Sequence, residues 1–203
     1  MTHRLPLAAI FGLAVLWSAP AWAQSSGAAV DNARMAQIFA DDQAIREGVS
    51  AGRRPDRAFV ERMHAEDAAR RVEVRTLLEA GALASAEDFR KAAFVFQHGT
   101  QPDDYLLAHS LAVAAAAKGS EGAAWIAAAS LDRYLQMKGE PQIYGTQTTV
   151  RQGEAPTDDP YNRGLVPDSL RTAMGVPTLA EQAAKLEAVN AALAAAKAAS
   201  GSR

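Results

Sequence analysis

Apolar residues recur at helical spacing along most of the chain from residue 31 onward. In the first segment the repeat is formed by Met35, Ile38, Phe39, Ile45 and Val49. Glycine, proline and capping residues interrupt the pattern and mark the helix ends. The sequence therefore predicts an all-α fold, an orthogonal or antiparallel bundle of about six helices. The predicted helices cover about 31–49, 56–80, 89–96, 103–118, 120–138 and 178–193, with a short helical turn at 167–174.

Two features of this pattern predict how the helices are arranged in the folded protein. The segments 103–118 and 120–138 are alanine-rich and are separated by Gly119-Ser120, which predicts an antiparallel hairpin with closely spaced helix axes. The segment 56–80 is heavily charged, and its Asp67, Arg70 and Arg71 are expected on a solvated face with i,i+4 pairs.

The stretch between the hairpin and the last helices has a different character. Glu140-Pro141 disfavours helix, whereas Ile143, Tyr144 and 148–150 prefer extended structure. Gly, Pro, Asp and Asn dominate 152–163, which indicates a loop. We expect one irregular polar loop or small hairpin packed across the bundle.

The first 23 residues have the organisation of a secretory signal peptide. Arg4 precedes an apolar run, and Ala21-Trp22-Ala23 is an A-x-A cleavage pattern. The run is too short for the ~20 residues that a membrane-spanning helix needs. The expected organisation is a signal peptide (1–23, cleaved after Ala23), a disordered linker (24–30), one helical domain (31–199) and a tail (200–203). The expected location is periplasmic or secreted, with no membrane span after cleavage.

Composition narrows the possible functions. The chain has no cysteine, so disulfides and a thiol nucleophile are excluded. Its net charge of −2 becomes −3 once Arg4 leaves with the signal, which argues against nucleic acid as a partner. The histidines lack the spacing of a metal site, and neither a glycine-rich phosphate loop nor a G-x-S-x-G sequence occurs. We therefore predict no cofactor and no metal.

Four short polar sequences interrupt this alanine-rich background. They are Asp42-Gln43-x-x-Arg46, Gln97-His98, Asp132-Arg133 and Gln142-Ile143-Tyr144-Gly145-Thr146-Gln147. In order and spacing they resemble an uncharacterised bacterial family, a domain of unknown function with D-Q-x-x-R, Q-H, D-R and Y-G-T-Q motifs. The resemblance covers roughly 35–175. It departs at Gly81-Ala82-Leu83, where many members have Gly-Trp-Pro. It implies a mainly helical fold and carries no established activity.

Each polar sequence allows a structural and a functional interpretation. His98 follows an apolar helix, so its imidazole either caps the end carbonyls or serves as a general base or ligand-binding group. Asp132 borders an apolar helix face and is either part of a buried ion pair or the carboxylate that orients His98. Asp42 lies on the apolar stripe with Arg46 at i+4, so the two are expected to be paired.

Residues 142–147 either fold back onto helix ends or form the wall of a pocket for a polar ligand. Three functions follow: a periplasmic ligand-binding or interaction module, a hydrolase-like enzyme with His98 as base and Asp132 as orienter, or a purely structural role. The partner expected for the first is a small polar ligand or a cell-envelope component. The predicted ligand-binding residues are Asp42, Arg46, His98, Asp132, Arg133, Gln142, Tyr144, Thr146 and Gln147.

Overall fold

The structure, a computed structural model, describes residues 29–50, 55–151 and 154–201. The predicted signal peptide and most of the linker lie outside these residues. The described residues form helices and no strand, so the predicted all-α fold is confirmed. The helices are α1 (Ala33–Ser50), α2 (Arg57–Glu79), α3 (Ala86–Phe96), α4 (Pro102–Ala117), α5 (Ala123–Met137), α6 (Asp168–Ala173) and α7 (Leu179–Gly201).

The helix starts follow capping chemistry. Asp56 caps α2 by accepting a hydrogen bond from the backbone nitrogen of Phe59 (2.7 Å). Ser85 and Asp88 form a reciprocal capping box at the start of α3. Asn32 caps α1, because its side chain accepts a hydrogen bond from the backbone nitrogen of the third helical residue (2.9 Å).

Helix α3 lies at the centre of the bundle and packs against α1, α2, α4 and α5. The core combines large apolar side chains such as Met35, Ile38, Val74 and Phe96 with buried alanines. Helices α4 and α5 form the predicted hairpin. Alanines occupy their buried faces, which allows the close approach expected from the sequence.

The described parts of the segment between α5 and α6 (138–151 and 154–167) form a loop with isolated bridges in place of a hairpin. Gln142 bridges to Tyr161 in parallel, and Thr149 bridges to Thr157 in antiparallel orientation. Helix α7 follows α6, and most of its residues over 179–195 are exposed. In the part of the chain that the structure describes, no helix combines the length and apolarity needed to cross a membrane.

Candidate functional site

Asp132 is fully buried on α5 and anchors the polar loop. Its carboxylate accepts hydrogen bonds from the backbone nitrogens of Ile143 (2.8 Å), Tyr144 (3.0 Å) and Thr146 (2.9 Å), and from the Thr146 hydroxyl (2.8 Å). Converging backbone N–H groups of a turn stabilise an anion much as a nest does. Both oxygens are therefore committed to holding the loop.

Two further buried side chains, Gln142 and Arg171, also hold the loop. We call the set of Asp132, Gln142 and Arg171 the loop anchor. The Gln142 amide donates to the carbonyls of Gln147 (2.8 Å) and Asp158, and its oxygen accepts from the Gln147 backbone nitrogen (3.0 Å). The third member, Arg171 of α6, is fully buried. It donates to three backbone carbonyls, those of Ile143, Tyr144 and Val166.

Gly145 lies inside this loop with φ of 72°, in the left-handed region that favours glycine. A Cβ atom there would lie 2.6 Å from the Tyr161 ring and from Oε1 of Gln182. We expect Gly145→Ala to lower the free energy of unfolding by about 2–4 kcal/mol, from left-handed strain plus overpacking. Gly139→Ala is the control, since its φ is 76° but no atom would lie within 4 Å of the new Cβ. Urea unfolding measures both, and equal losses would contradict the role of the contact.

A second polar cluster, the carboxylate–arginine cluster, lies between α1 and α2 and consists of Asp42, Arg46, Asp67 and Arg70. Asp42 is fully buried, and its Oδ1 lies 2.9 Å from Nη1 of Arg46. Asp67 accepts from Arg46 (2.7 Å) and Arg70 (2.6 Å). Burial acts to raise the pKa of Asp67, but the hydrogen bonds from Arg70 and Arg46 outweigh it and hold the pKa below its ordinary value.

His98 joins this cluster from the end of α3. Its Nδ1 lies 3.1 Å from Oδ1 of Asp42, and because a carboxylate oxygen accepts, Nδ1 is the donor. Nε2 makes no hydrogen bond with the described residues. The carboxylate that contacts the His98 imidazole is thus that of Asp42. The sequence suggests Asp132 for this role, but both Asp132 oxygens accept hydrogen bonds from the loop.

The turn that carries His98 is held by its backbone. Arg133 donates to the carbonyl of Gln97 (2.9 Å), Arg71 donates to that of His98 (3.0 Å), and the Tyr105 hydroxyl donates to that of Gly99 (2.7 Å). These bonds satisfy three carbonyls of the turn that follows α3. The capping interpretation of His98 is wrong, because its imidazole is paired with the Asp42 carboxylate and the last carbonyls of α3 accept from backbone nitrogens, for example Phe96 from Gly99 (2.9 Å).

A cleft of about 230 Å³, the His98 cleft, opens beside this turn. A hollow of about 430 Å³, the Gln147 hollow, is lined by Tyr105, Gln136, Met137 and Gln147. Arg133 lines both. The side chains of the cleft that matter here are Arg46, His64, Asp67, Arg71, His98 and Arg133.

The predicted site residues therefore fall into two groups. Arg46, His98, Arg133 and Gln147 line the cleft or the hollow, and Asp42 lies buried behind the imidazole. The others belong to the loop anchor or to the turn that it holds. They are Asp132, Gln142, Tyr144 and Thr146.

Another hollow, of about 140 Å³, lies between the loop and α7. Trp125, Val176, Leu186 and Val189 give it a mainly apolar lining. It lacks the convergence of charged groups that distinguishes the His98 cleft, so we do not assign the candidate site to it.

Neither the search for metal-binding groups of side chains nor the comparisons with known proteins assign a function to this site. Within residues 29–50, 55–151 and 154–201, no three His, Cys, Asp or Glu side chains are grouped as a metal ion would require. No family model, curated protein or solved structure matches the chain. The resemblance to the uncharacterised bacterial family stays a prediction.

Proposed function

We propose that the protein is an exported, periplasmic or secreted, binding module that holds a small polar ligand in the His98 cleft and the adjoining Gln147 hollow. The observation that carries the proposal is that Arg133 has a buried hydrogen-bond donor without a partner in the described part of the chain. Its guanidinium donates a hydrogen bond to the Gln97 carbonyl and lies beside the Tyr105 hydroxyl, while its buried Nε has no hydrogen-bond partner among the described residues. A buried donor without a partner costs ~1–3 kcal/mol, so a ligand that satisfied it would gain affinity.

The contrast between the two polar clusters supports this choice. In the loop anchor the side-chain carboxylate and amide form their hydrogen bonds with backbone atoms, as expected for a structural role. In the cleft, His98 retains Nε2 and Arg133 retains donors. The groups that can still form hydrogen bonds to a ligand therefore lie beside His98. The loop contributes Gln147, which lines the Gln147 hollow.

A hydrolase-like enzyme is the second candidate, and the contact between His98 and Asp42 favours it. A carboxylate at 3.1 Å orients the imidazole, as in acid–base pairs. The same carboxylate also pairs with Arg46, which weakens its ability to stabilise an imidazolium. Release of a product from cell-wall fragments, abolished by His98→Gln, would favour catalysis over binding alone.

The binding proposal is tested by thermal-shift screening of residues 24–203 against cell-wall fragments and sugars. We expect at least one of these probes to raise the melting temperature, and Arg133→Gln to weaken its binding ~10–100-fold, as expected for hydrogen bonds from a charged donor. Isothermal titration calorimetry gives the affinities.

Arg57→Gln is the matched control, because the Arg57 side chain is 93% exposed at the start of α2 and pairs with Glu61. It should leave the affinity unchanged. A probe that binds equally well to both variants would show that the ligand site lies elsewhere.

A further inference from the structure

The charges around the His98 cleft are unbalanced. Arg46 comes from α1, Arg71 and His64 from α2, and Arg133 from α5. Asp67 is the acidic side chain among the described residues that line the cleft. Guanidinium groups from separate helices thus converge on one opening, although the chain as a whole is acidic.

The nearby carboxylates are already engaged. Asp67 is bound by Arg46 and Arg70. Asp42 is fully buried behind His98. Asp104 lies 3.6 Å from Nε of Arg71, across the turn that follows α3. These contacts neutralise the neighbouring cations and leave the charge of Arg133 without a carboxylate in the described part of the chain.

Arg133 is held in an unfavourable electrostatic setting. Burial lowers the pKa of its guanidinium below the usual range; the neighbouring Tyr105 offsets this only in part, and the positive charge of Arg46 lowers the pKa further. Burying a charge is costly unless an opposite charge or hydrogen bonds compensate for it. A bound anion would relieve both effects, because it would neutralise Arg133 and partner its free donors.

We propose that the His98 cleft binds an oxyanion, the carboxylate or phosphate group of a small polar ligand, with Arg133 as its main partner. This inference rests on the proposed binding function and names the ligand class. A guanidinium matches the geometry of both groups by donating two parallel hydrogen bonds. Gln136 and Gln147 line the adjoining hollow, where their amides can contact the neutral part of the ligand.

The direct test follows the Arg133 Nε–H signal by ¹H–¹⁵N NMR of residues 24–203. The signal is assigned from its absence in Arg133→Lys. Sodium phosphate and sodium acetate are titrated against sodium chloride at matched ionic strength. We expect phosphate or acetate to move this signal along a saturable curve and to raise the melting temperature. Movement no larger than that caused by chloride would overturn the inference.

Matched sugars separate this inference from the broader proposal and distinguish the two anions. N-acetylmuramic acid differs from N-acetylglucosamine by a lactyl carboxylate, and glucose 6-phosphate differs from glucose by its phosphate. We expect an acidic member to bind at least tenfold more tightly than its neutral partner, a difference that Arg133→Gln abolishes and Arg57→Gln retains.

The two proposals fail in different ways. If a neutral sugar binds as tightly as its acid and still shifts the Arg133 signal, the cleft is a ligand site but the oxyanion inference is overturned. If neither the sugars nor the inorganic anions shift the signal, both proposals are overturned.

Discussion

Replacing Asp132 with asparagine should destabilise the protein by about 3–5 kcal/mol, because a neutral amide would replace a buried carboxylate that accepts four hydrogen bonds. The carboxylate accepts hydrogen bonds from Ile143, Tyr144 and Thr146 while fully buried. An asparagine side chain would turn an amide nitrogen, itself a donor, toward these donors. Hydrogen bonds to charged groups contribute about 1.5–3 kcal/mol each, so the loss exceeds that of an ordinary surface substitution. Urea unfolding followed by circular dichroism measures it.

Asp103→Asn is the control for this prediction. Asp103 is an exposed acid in the first turn of α4, and its replacement should change the free energy of unfolding by no more than about 0.5–1 kcal/mol. If Asp132→Asn proved as stable as the wild type but lost ligand binding, Asp132 would belong to the ligand site and its anchoring role would be refuted.

Asp42→Asn should cause a loss of similar size, about 3–5 kcal/mol, because it removes the fully buried negative charge that compensates two partly buried guanidiniums. The Asp42 carboxylate lies 2.9 Å from Arg46, 3.7 Å from Arg70 and 3.1 Å from His98. Without it, the two guanidiniums would keep Asp67 and, at the surface, Glu66 as their carboxylate partners, and the His98 imidazole would lose its own. The measurement is again the free energy of unfolding in urea.

The adjacent residue provides a matched control. Asp41 precedes Asp42 on α1 but is exposed, and its carboxylate accepts a hydrogen bond from Gln37 (2.8 Å). Asp41→Asn makes the same chemical change on the same helix and should cost no more than about 0.5 kcal/mol. Comparable losses in the two variants would mean that the Asp42 contacts contribute nothing beyond helix propensity.

The helices and the caps of α2 and α3 were predictable because they depend on local sequence. Asp56 and the Ser85-Asp88 pair act on backbone groups within one turn, and Gly119 separates two alanine-rich helices. The start of α5 was less predictable. Ser120 was expected to open it, but its hydroxyl binds Glu87 (2.6 Å), and the helix begins at Ala123.

The carboxylate–arginine cluster was only half predictable. The position of Asp42 on an apolar stripe, with Arg46 four residues later, correctly indicated a buried pair. The charged pattern of α2 instead suggested a solvated face, whereas Asp67 is buried and meets Arg46. Periodicity within one helix cannot reveal that a partner on another helix compensates an acid, because the pairing depends on how the helices pack.

Arg171 had no recognisable signal in the sequence. It lies in the short helix α6 and donates to the carbonyls of Ile143 and Tyr144, which lie 28 and 27 residues earlier in the chain. Contacts from a side chain to distant backbone atoms leave no spacing pattern. The pairing of His98 with Asp42 was missed for the same reason, since the two residues meet only after α1 and α3 pack.

The turn after α3 has a consequence for evolution. The side chains of Arg71, Arg133 and Tyr105 all donate hydrogen bonds to backbone carbonyls of this turn. Main-chain oxygens are present whatever amino acid occupies position 98. Descendants of this chain can therefore exchange that histidine while the surrounding frame keeps its shape, so new chemistry can be tried at this position without first rebuilding the scaffold.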